Sequence, residues 1–346
     1  MNGLVLHAPE DLRLESLEPE ILGPGQVRLR IKRGGICGSD LHYYFHGGFG
    51  PIKLREPMIL GHEISGVIED VGAGVLLRPG MLVAVSPSRP CNTCRYCLAG
   101  QQNHCENMRF YGSAMPMPHI QGAFRQELVV DESQCAVADG LTPAQAAMAE
   151  PLSVCLHALH QAGDILGASV LITGSGPIGV LTALAARSAG AGEIVVTDIL
   201  DAPLEFARIA GADRVVNTAT HPDGLSKDQA GKGRFDVHFE CSSAPQAISA
   251  GIAALRPGGI LVQLGLGGDQ LIPLQQITAK EVTLKGSFRF HNEFQTAVSL
   301  MRRGLLDVSP FVTHTFSIRD HRDAFKVAKD KRQSMKVQID FSLGAN

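Results

Sequence analysis

The pattern of apolar and polar positions changes character along the chain. Up to about residue 135 the apolar residues come in short runs broken by Gly and Pro, among them QVRLRIKRGGI, ISGVIEDVGAGV, MLVAVS and QELVV. Runs of this kind predict short β-strands. LTPAQAAMAEPLSVCLHALHQAG then turns helical, with Thr142 as the N-cap and Pro143 at the first helical position, where a missing N–H is harmless. From Ala168 the texture becomes strand–helix alternation: SVLITGSGPIGVLTALAARSAG, EIVVTD, PLEFARIAGADRVVN, FDVHFECSS, ILVQLGLGG, EVTLKGSF. These strands are unbroken apolar runs, as a parallel sheet covered on both faces requires. After Phe290, NEFQTAVSLMRRG and DHRDAFKVAKDKR read as helices and MKVQIDF as a strand. They have no strand–helix partners of their own, which predicts that the tail rejoins the first domain. The expected division is a β-rich domain of 1–153 with 294–346 around an inserted doubly wound domain of 154–293.

The inserted domain carries the clearest chemistry. Gly174-Ser-Gly176-Pro177-Ile178-Gly179 follows the strand VLIT and opens a helix. In this pattern the first Gly permits a tight turn, the second lets backbone approach a pyrophosphate, and the third allows close helix–sheet packing. The helix N-terminus offers free N–H groups to the phosphates. Asp198 closes the next strand, about 20 residues on, where a carboxylate binds a ribose and repels a 2′-phosphate. ILDAPLEF, which follows, supplies no cation to neutralise that phosphate, so NAD is expected rather than NADP.

Composition narrows the rest. A chain of 346 residues, 45% hydrophobic and 19% charged, suits two globular domains. The formal net charge of −3 leaves no footprint for nucleic acid. No run of about 18 apolar residues predicts a membrane span, and MNGLVLHAPEDLRLESL lacks the features of a secretory leader. The expected location is therefore the cytoplasm, with neither membrane nor nucleic acid as partner. In that reducing setting, clustered thiols point to metal rather than disulfides. Cys91, Cys94, Cys97 and Cys105 bring four of the 8 cysteines into one loop. Four soft ligands suit a closed, tetrahedral structural zinc. The spacing to the fourth Cys, and the Glu106 that follows it, depart from the ferredoxin run of an iron–sulfur protein.

Cys37 in RGGICGSDLHYY, His62-Glu63 in LGHE, and Glu150 in MAEPLSV form no spacing motif by themselves. Taken with the four-cysteine loop and GSGPIG, in this order, they resemble the zinc-dependent medium-chain dehydrogenases, and within them the polyol (sorbitol) branch. The resemblance spans essentially the whole chain. It implies an α/β protein with a GroES-like β-rich catalytic domain and a Rossmann domain, an active site in the cleft between them, and a homotetramer. It also implies a catalytic zinc on Cys37, His62 and Glu150, with Glu63 either a ligand or exchanging with water. Alcohol dehydrogenases of the family carry Cys where Glu150 stands, which favours polyol-like substrates, and MRFYGSAM inclines the expectation toward sugar acids. Ser39 and His42 match the family's proton relay from substrate to solvent, and Arg289 a position facing the substrate. Lys336 matches a position that pairs with the cofactor pyrophosphate. Tyr43 is a second candidate for the substrate, and Arg109 a candidate for a substrate carboxylate.

The implied reaction is oxidation of a secondary hydroxyl of an open-chain sugar acid or polyol, with hydride transfer to NAD. Two readings compete with it: a catalytically silent nucleotide-binding sensor and a zinc-free reductase of the same superfold. The joint presence of Cys37, Ser39, His42, His62 and Glu150 argues against both. His157 and His160 are read as packing or exposed histidines, and Cys135, Cys155 and Cys241 as small hydrophobes.

Overall fold

The computed structural model describes residues 1–342. In it the first unit comprises Met1–Glu150, Phe294–Asp330 and the chain from Lys336 onward, and the second comprises Pro151–Glu293 with Lys331–Met335. Most of the chain after Glu293 thus lies in the first unit, with Lys331–Met335 in the second. The two units divide at Pro151, within the helix Ala149–Ala162.

The first unit is built on β1 (Gln26–Gly35), β2 (Glu63–Val71), β3 (Leu82–Val85), β4 (Glu127–Asp131) and β5 (Cys135–Val137), joined later by β12 (Val312–Ser317) and β13 (Lys336–Asp340). Its sheet runs β5–β3–β2–β1–β13–β12, with β4 pairing with β1. Val27, Leu29 and Ile31 point inward from β1 while Arg28 and Arg30 point out, the alternation expected of a strand with one wet face. Leu29, Ile31, Ile64, Phe124, Phe325 and Phe341 belong to the core of this unit. Gly35 lies opposite both Glu63 and Gln338. The end of β1 and the beginnings of β2 and β13 therefore share one rim of the sheet. Helix α1 (Gly38–His46) follows β1 at that rim, and α2 (Arg95–Leu98) lies in the cysteine loop.

The second unit begins with α3 (Ala149–Ala162), whose first residues belong to the first unit, and alternates as expected. Its elements are β6 (Ser169–Thr173), α4 (Pro177–Ser188), β7 (Glu193–Asp198), α5 (Asp201–Ile209), β8 (Arg214–Asn217), β9 (Phe235–Glu240), α6 (Pro245–Ala254), β10 (Leu255–Gln263) and β11 (Thr283–Gly286). The sheet order is β8–β7–β6–β9–β10–β11, with every pairing parallel. The chain leaves β6 first to one side and later to the other, so the strand order switches between β6 and β9. Helix α7 (Glu293–Arg302) carries the chain back. No helix among the described residues is long and apolar enough to cross a membrane.

Candidate functional site

Cys37, His62 and Glu63 bring one donor atom each to within 4.8 Å of one another at the rim where β1, β2 and β13 meet. Cys37 is the N-cap of α1. Glu63 is the first residue of β2, and its carboxylate occupies space opened by Gly35, where a Cβ would collide with it. Lys336, the first residue of β13, donates from Nζ to both Glu63 oxygens, at 2.7 and 2.8 Å, and to the Ile36 carbonyl at 3.2 Å. The two side chains are 1% and 3% exposed, so the pair is sealed from water.

Asp40, fully buried in the first turn of α1, accepts from the Cys37 N–H at 2.9 Å and the Gly61 N–H at 3.0 Å. One carboxylate thus fixes the backbone on both sides of the cluster, and it stands 3.9 Å from Nδ1 of His62. Asp40 is not among the residues expected from the sequence. Its signal was an acidic residue at the third helical position, where it completes a capping box with Cys37.

The charge balance of this pocket decides what it can hold. Burial pushes the Glu150 carboxyl up to about 7, against the pull of His62, with Glu63 adding to the rise and Lys336 opposing it. Burial raises Asp40 as well. Burial alone would lower His62, but Asp40, Cys37 and Glu150 carry it well above its usual value. Three buried carboxyl groups and a thiol thus face one buried ammonium and an imidazole that they draw toward its protonated form, and His62 Nδ1 has no hydrogen-bond partner. Groups shifted this way signal a site short of positive charge. A divalent cation supplies that charge, and a donor set of sulfur, imidazole and carboxylate suits zinc.

The second cluster is the cysteine loop. Cys91, Cys94, Cys97 and Cys105 present their sulfurs within 4.8 Å of one another. All four are free, with Cys91 and Cys105 sulfurs 3.4 Å apart, well outside bonding distance. The Cys91 and Asn107 N–H groups both point at the Cys105 sulfur, at 3.2 and 3.4 Å. N–H donors around Cys91 bring its thiol down to about 5, whereas burial and the neighbouring thiols push Cys97 up to about 12. A tetrahedral cation on all four sulfurs removes that conflict, as the thiolate is the form that ligates.

In the second unit, Gly174 adopts φ +87°, a conformation that favours glycine, and a side chain on Gly179 would strike the Gly174 carbonyl. Gly176 caps α4 with open space where a Cβ would sit, and Pro177 is the first helical residue. This leaves a bare backbone cradle at the N-terminus of a helix of 12 residues, which fits a pyrophosphate. Asp198 ends β7. Its Oδ2 accepts from the Ser175 N–H at 2.7 Å, and its Oδ1 from Ile199 and Leu200 at 2.7 and 3.0 Å. Asp198 therefore also ties the glycine turn to the next strand.

Other expected residues fall in less expected places. Lys336, matched by the resemblance to a pyrophosphate-pairing position, is enclosed against Glu63, because β13 begins inside the rim of the sheet. Ser39 is half-buried and His42 exposed, three residues apart on α1. Tyr43 is buried, and its hydroxyl accepts from the Ala114 N–H at 3.1 Å. Arg109 is exposed beside Phe110, whose ring is 5.5 Å from that of His62. Arg289 lies in the second unit at φ +57°, its guanidinium 4.8 Å above the Phe288 ring. His157 and His160 are not loose, since both place Nδ1 on Glu293 Oε1, at 3.0 and 2.8 Å.

Comparison with known proteins adds to this geometry. Residues 23–139 match the alcohol dehydrogenase GroES-like domain, and residues 177–303 match the zinc-binding dehydrogenase domain. The chain is 41% identical over 319 residues to L-idonate 5-dehydrogenase (NAD(P)(+)) of Escherichia coli, covering 90% of this chain and 91% of that one. Human sorbitol dehydrogenase is 37% identical over 343 residues, covering 97% and 95%. The crystal structure of the Escherichia coli L-idonate 5-dehydrogenase superposes with a TM-score of 0.94 at 38% identity, covering 98% of this chain and 97% of that one.

Proposed function

As this chain belongs to the zinc-dependent medium-chain dehydrogenases, we propose that it oxidises a secondary hydroxyl of a sugar acid and passes the hydride to NAD, converting L-idonate to 5-dehydrogluconate. The observation that carries this reading is the cluster of Cys37, His62 and Glu63, with the buried Glu150 carboxyl close enough to feel the charges of His62 and Glu63, in a chain 41% identical to an L-idonate 5-dehydrogenase.

Cys37, His62 and Glu150 hold the catalytic zinc, and Cys91, Cys94, Cys97 and Cys105 the structural one. When bound, the catalytic zinc supplies Lewis-acid polarisation of the substrate oxygen, and NAD supplies the hydride acceptor. Glu63 has both oxygens taken by Lys336, so it stands beside the metal as a carboxylate in reserve. Asp40 holds the Cys37 and Gly61 backbones, which sets the angle at which sulfur and imidazole present themselves. Ser39 takes the substrate proton and His42, exposed on the same face of α1, delivers it to water. Arg289 and Tyr43 contact the substrate. A strained backbone at a non-glycine residue, as at Arg289, is a feature of positions held for function. Gly174, Gly176, Pro177, Ile178 and Gly179 receive the pyrophosphate and Asp198 the adenosine ribose. On the same reading the enzyme is a cytoplasmic homotetramer.

The test is NADH formation by the zinc-replete protein with L-idonate, D-gluconate, sorbitol, xylitol and L-threonine, each with NAD and NADP. Preference for L-idonate with NAD is the expected outcome. Preference for a neutral polyol would keep the zinc chemistry and move the enzyme to the sorbitol dehydrogenase type, which the 37% identity to that enzyme already makes the second reading. Absence of turnover despite bound zinc and NAD would point to a silent nucleotide-binding member.

A further inference from the structure

Glu240, the last residue of β9, is fully buried, yet no Lys, Arg or His side chain pairs with it among the described residues. Five donors converge on its carboxylate instead. Oε1 accepts from the Ser242 N–H at 2.8 Å, the Ser243 N–H at 2.9 Å, the Ser242 hydroxyl, and the Thr173 hydroxyl at 3.4 Å. Oε2 accepts from the Gln263 amide at 2.7 Å and shares the Ser243 N–H at 3.0 Å. An acceptor-only group is what such a ring of donors fits, since an amide in its place would turn an NH2 toward other N–H groups.

These donors come from the C-terminal ends of β6, β9 and β10. Thr173 directly precedes Gly174, and a side chain on Gly174 would collide with Ser242. Ser243 is held at φ +61°, a conformation that costs a non-glycine residue energy. Gln270 adds a hydrogen bond to the Ser243 carbonyl at 2.7 Å. Glu240 is the centre of this knot of hydrogen bonds.

Its position has a consequence for the cofactor. In a doubly wound sheet a dinucleotide lies across the C-terminal ends of the strands at the switch point, here between β6 and β9. The glycine turn after β6 takes the pyrophosphate, and Asp198 at the end of β7 marks the adenosine side. The nicotinamide half is then left to the β9 and β10 side, where Glu240 sits. The nicotinamide ring carries a positive charge when oxidised and none when reduced.

We propose that Glu240 is a positioning and charge-tuning residue, whose buried carboxylate favours the oxidised over the reduced nicotinamide on this protein. Hydrogen bonds hold the negative charge in place without cancelling it. Were the ring to lie about 10 Å from the carboxylate, an effective dielectric constant of about 20 would make the charge worth roughly a tenfold change in an equilibrium constant. Removing the charge should weaken NAD binding more than NADH binding.

The experiment measures Kd for NAD and for NADH on the zinc-loaded protein, by calorimetry and by NADH fluorescence, in wild type, Glu240→Gln and Ser242→Ala. The expected result for Glu240→Gln is a fall of about three- to tenfold in the ratio Kd(NADH)/Kd(NAD). Ser242→Ala removes hydrogen bonds but keeps the charge, so it should weaken both cofactors by similar factors and leave the ratio near the wild-type value. Equal weakening of both cofactors by Glu240→Gln, or no change in either, would overturn the proposal and leave Glu240 a purely structural anchor. Should Glu240→Gln fail to fold, Gln263→Lys sets a cation beside the same carboxylate and must lower the ratio likewise; an unchanged ratio there overturns the proposal. Failure of the wild type to bind either cofactor would instead refute the dehydrogenase reading on which this inference rests.

Discussion

Replacing Lys336 with Met tests the pocket's charge balance most directly. The substitution keeps an unbranched chain of similar length and removes only the ammonium. Glu63 would lose two hydrogen bonds, at 2.7 and 2.8 Å, inside a site where it is 1% exposed. Breaking one half of a buried ion pair costs about 3–5 kcal/mol, because the remaining charge stays buried without a partner. In metal-free protein this should lower the urea midpoint by roughly 2 M, for an m-value of about 2 kcal/mol per M. Zinc changes the account. A divalent cation close to Glu63 offers the orphaned carboxylate a new partner, so the loss should be smaller in zinc-loaded protein. By linkage, that difference must appear as tighter zinc binding in the variant. Urea titrations with and without zinc, together with chelator competition for the metal, measure both sides. Equal destabilisation in the two states, or unchanged zinc affinity, would refute the view that Lys336 and the metal compete for Glu63. A double variant with Glu63→Gln should recover most of the lost stability, whereas additive losses would show that the two side chains do not act as a pair.

Further outcomes follow from the same geometry. Asp40→Asn turns an NH2 toward the Cys37 or Gly61 N–H and should weaken catalytic zinc binding by about 10–100-fold, read by chelator competition, with the cysteine-loop zinc retained. Cys91→Ser should lower zinc content from two ions per chain to about one and reduce the melting temperature, as read by elemental analysis and calorimetry. His238 is fully buried, and burial lowers its pKa to about 3, so it stays neutral in the fold while the unfolded chain takes up a proton below about pH 6.5. Its contribution is intact above that pH and is lost as pH falls toward 3; about 2 kcal/mol should go between pH 7.5 and 5, and His238→Leu should unfold with a shallower acid dependence than wild type.

How much of this could be read from sequence depends on how local each signal is. The glycine turn was legible because its parts are contiguous: strand, glycines, Pro177 and helix follow one another, and Asp198 closes the very next strand. The cysteine loop was legible for the same reason. The pocket around His62 was not legible from spacing, since Cys37, His62, Glu150 and Lys336 meet only when the end of β1 and the starts of β2 and β13 align. Only the family resemblance proposed these residues together. It left out Asp40, whose role depends on two backbone N–H groups from separate segments. The pairing of Lys336 with Glu63 was not legible either, because a lysine in MKVQI gives no sign that its strand begins inside the rim. His157 and His160 looked unemployed because their partner, Glu293, lies far away in sequence, at the start of α7.

The two units share a physical device. In the first, Asp40, Glu63 and Glu150 are buried around one ammonium and the His62 imidazole. In the second, Glu240 is buried with donors but no cation. Either arrangement is costly in an empty protein, because a buried charge forgoes the solvation of water. On the readings proposed above, the arrangement becomes favourable when a positive guest arrives, zinc in one unit and the oxidised nicotinamide in the other. Energy withheld from folding is thereby released on binding, and it is released only to guests of the right charge. A protein organised this way should be measurably less stable without its ligands, and it should prefer the form of the cofactor that accepts a hydride over the form that has already done so.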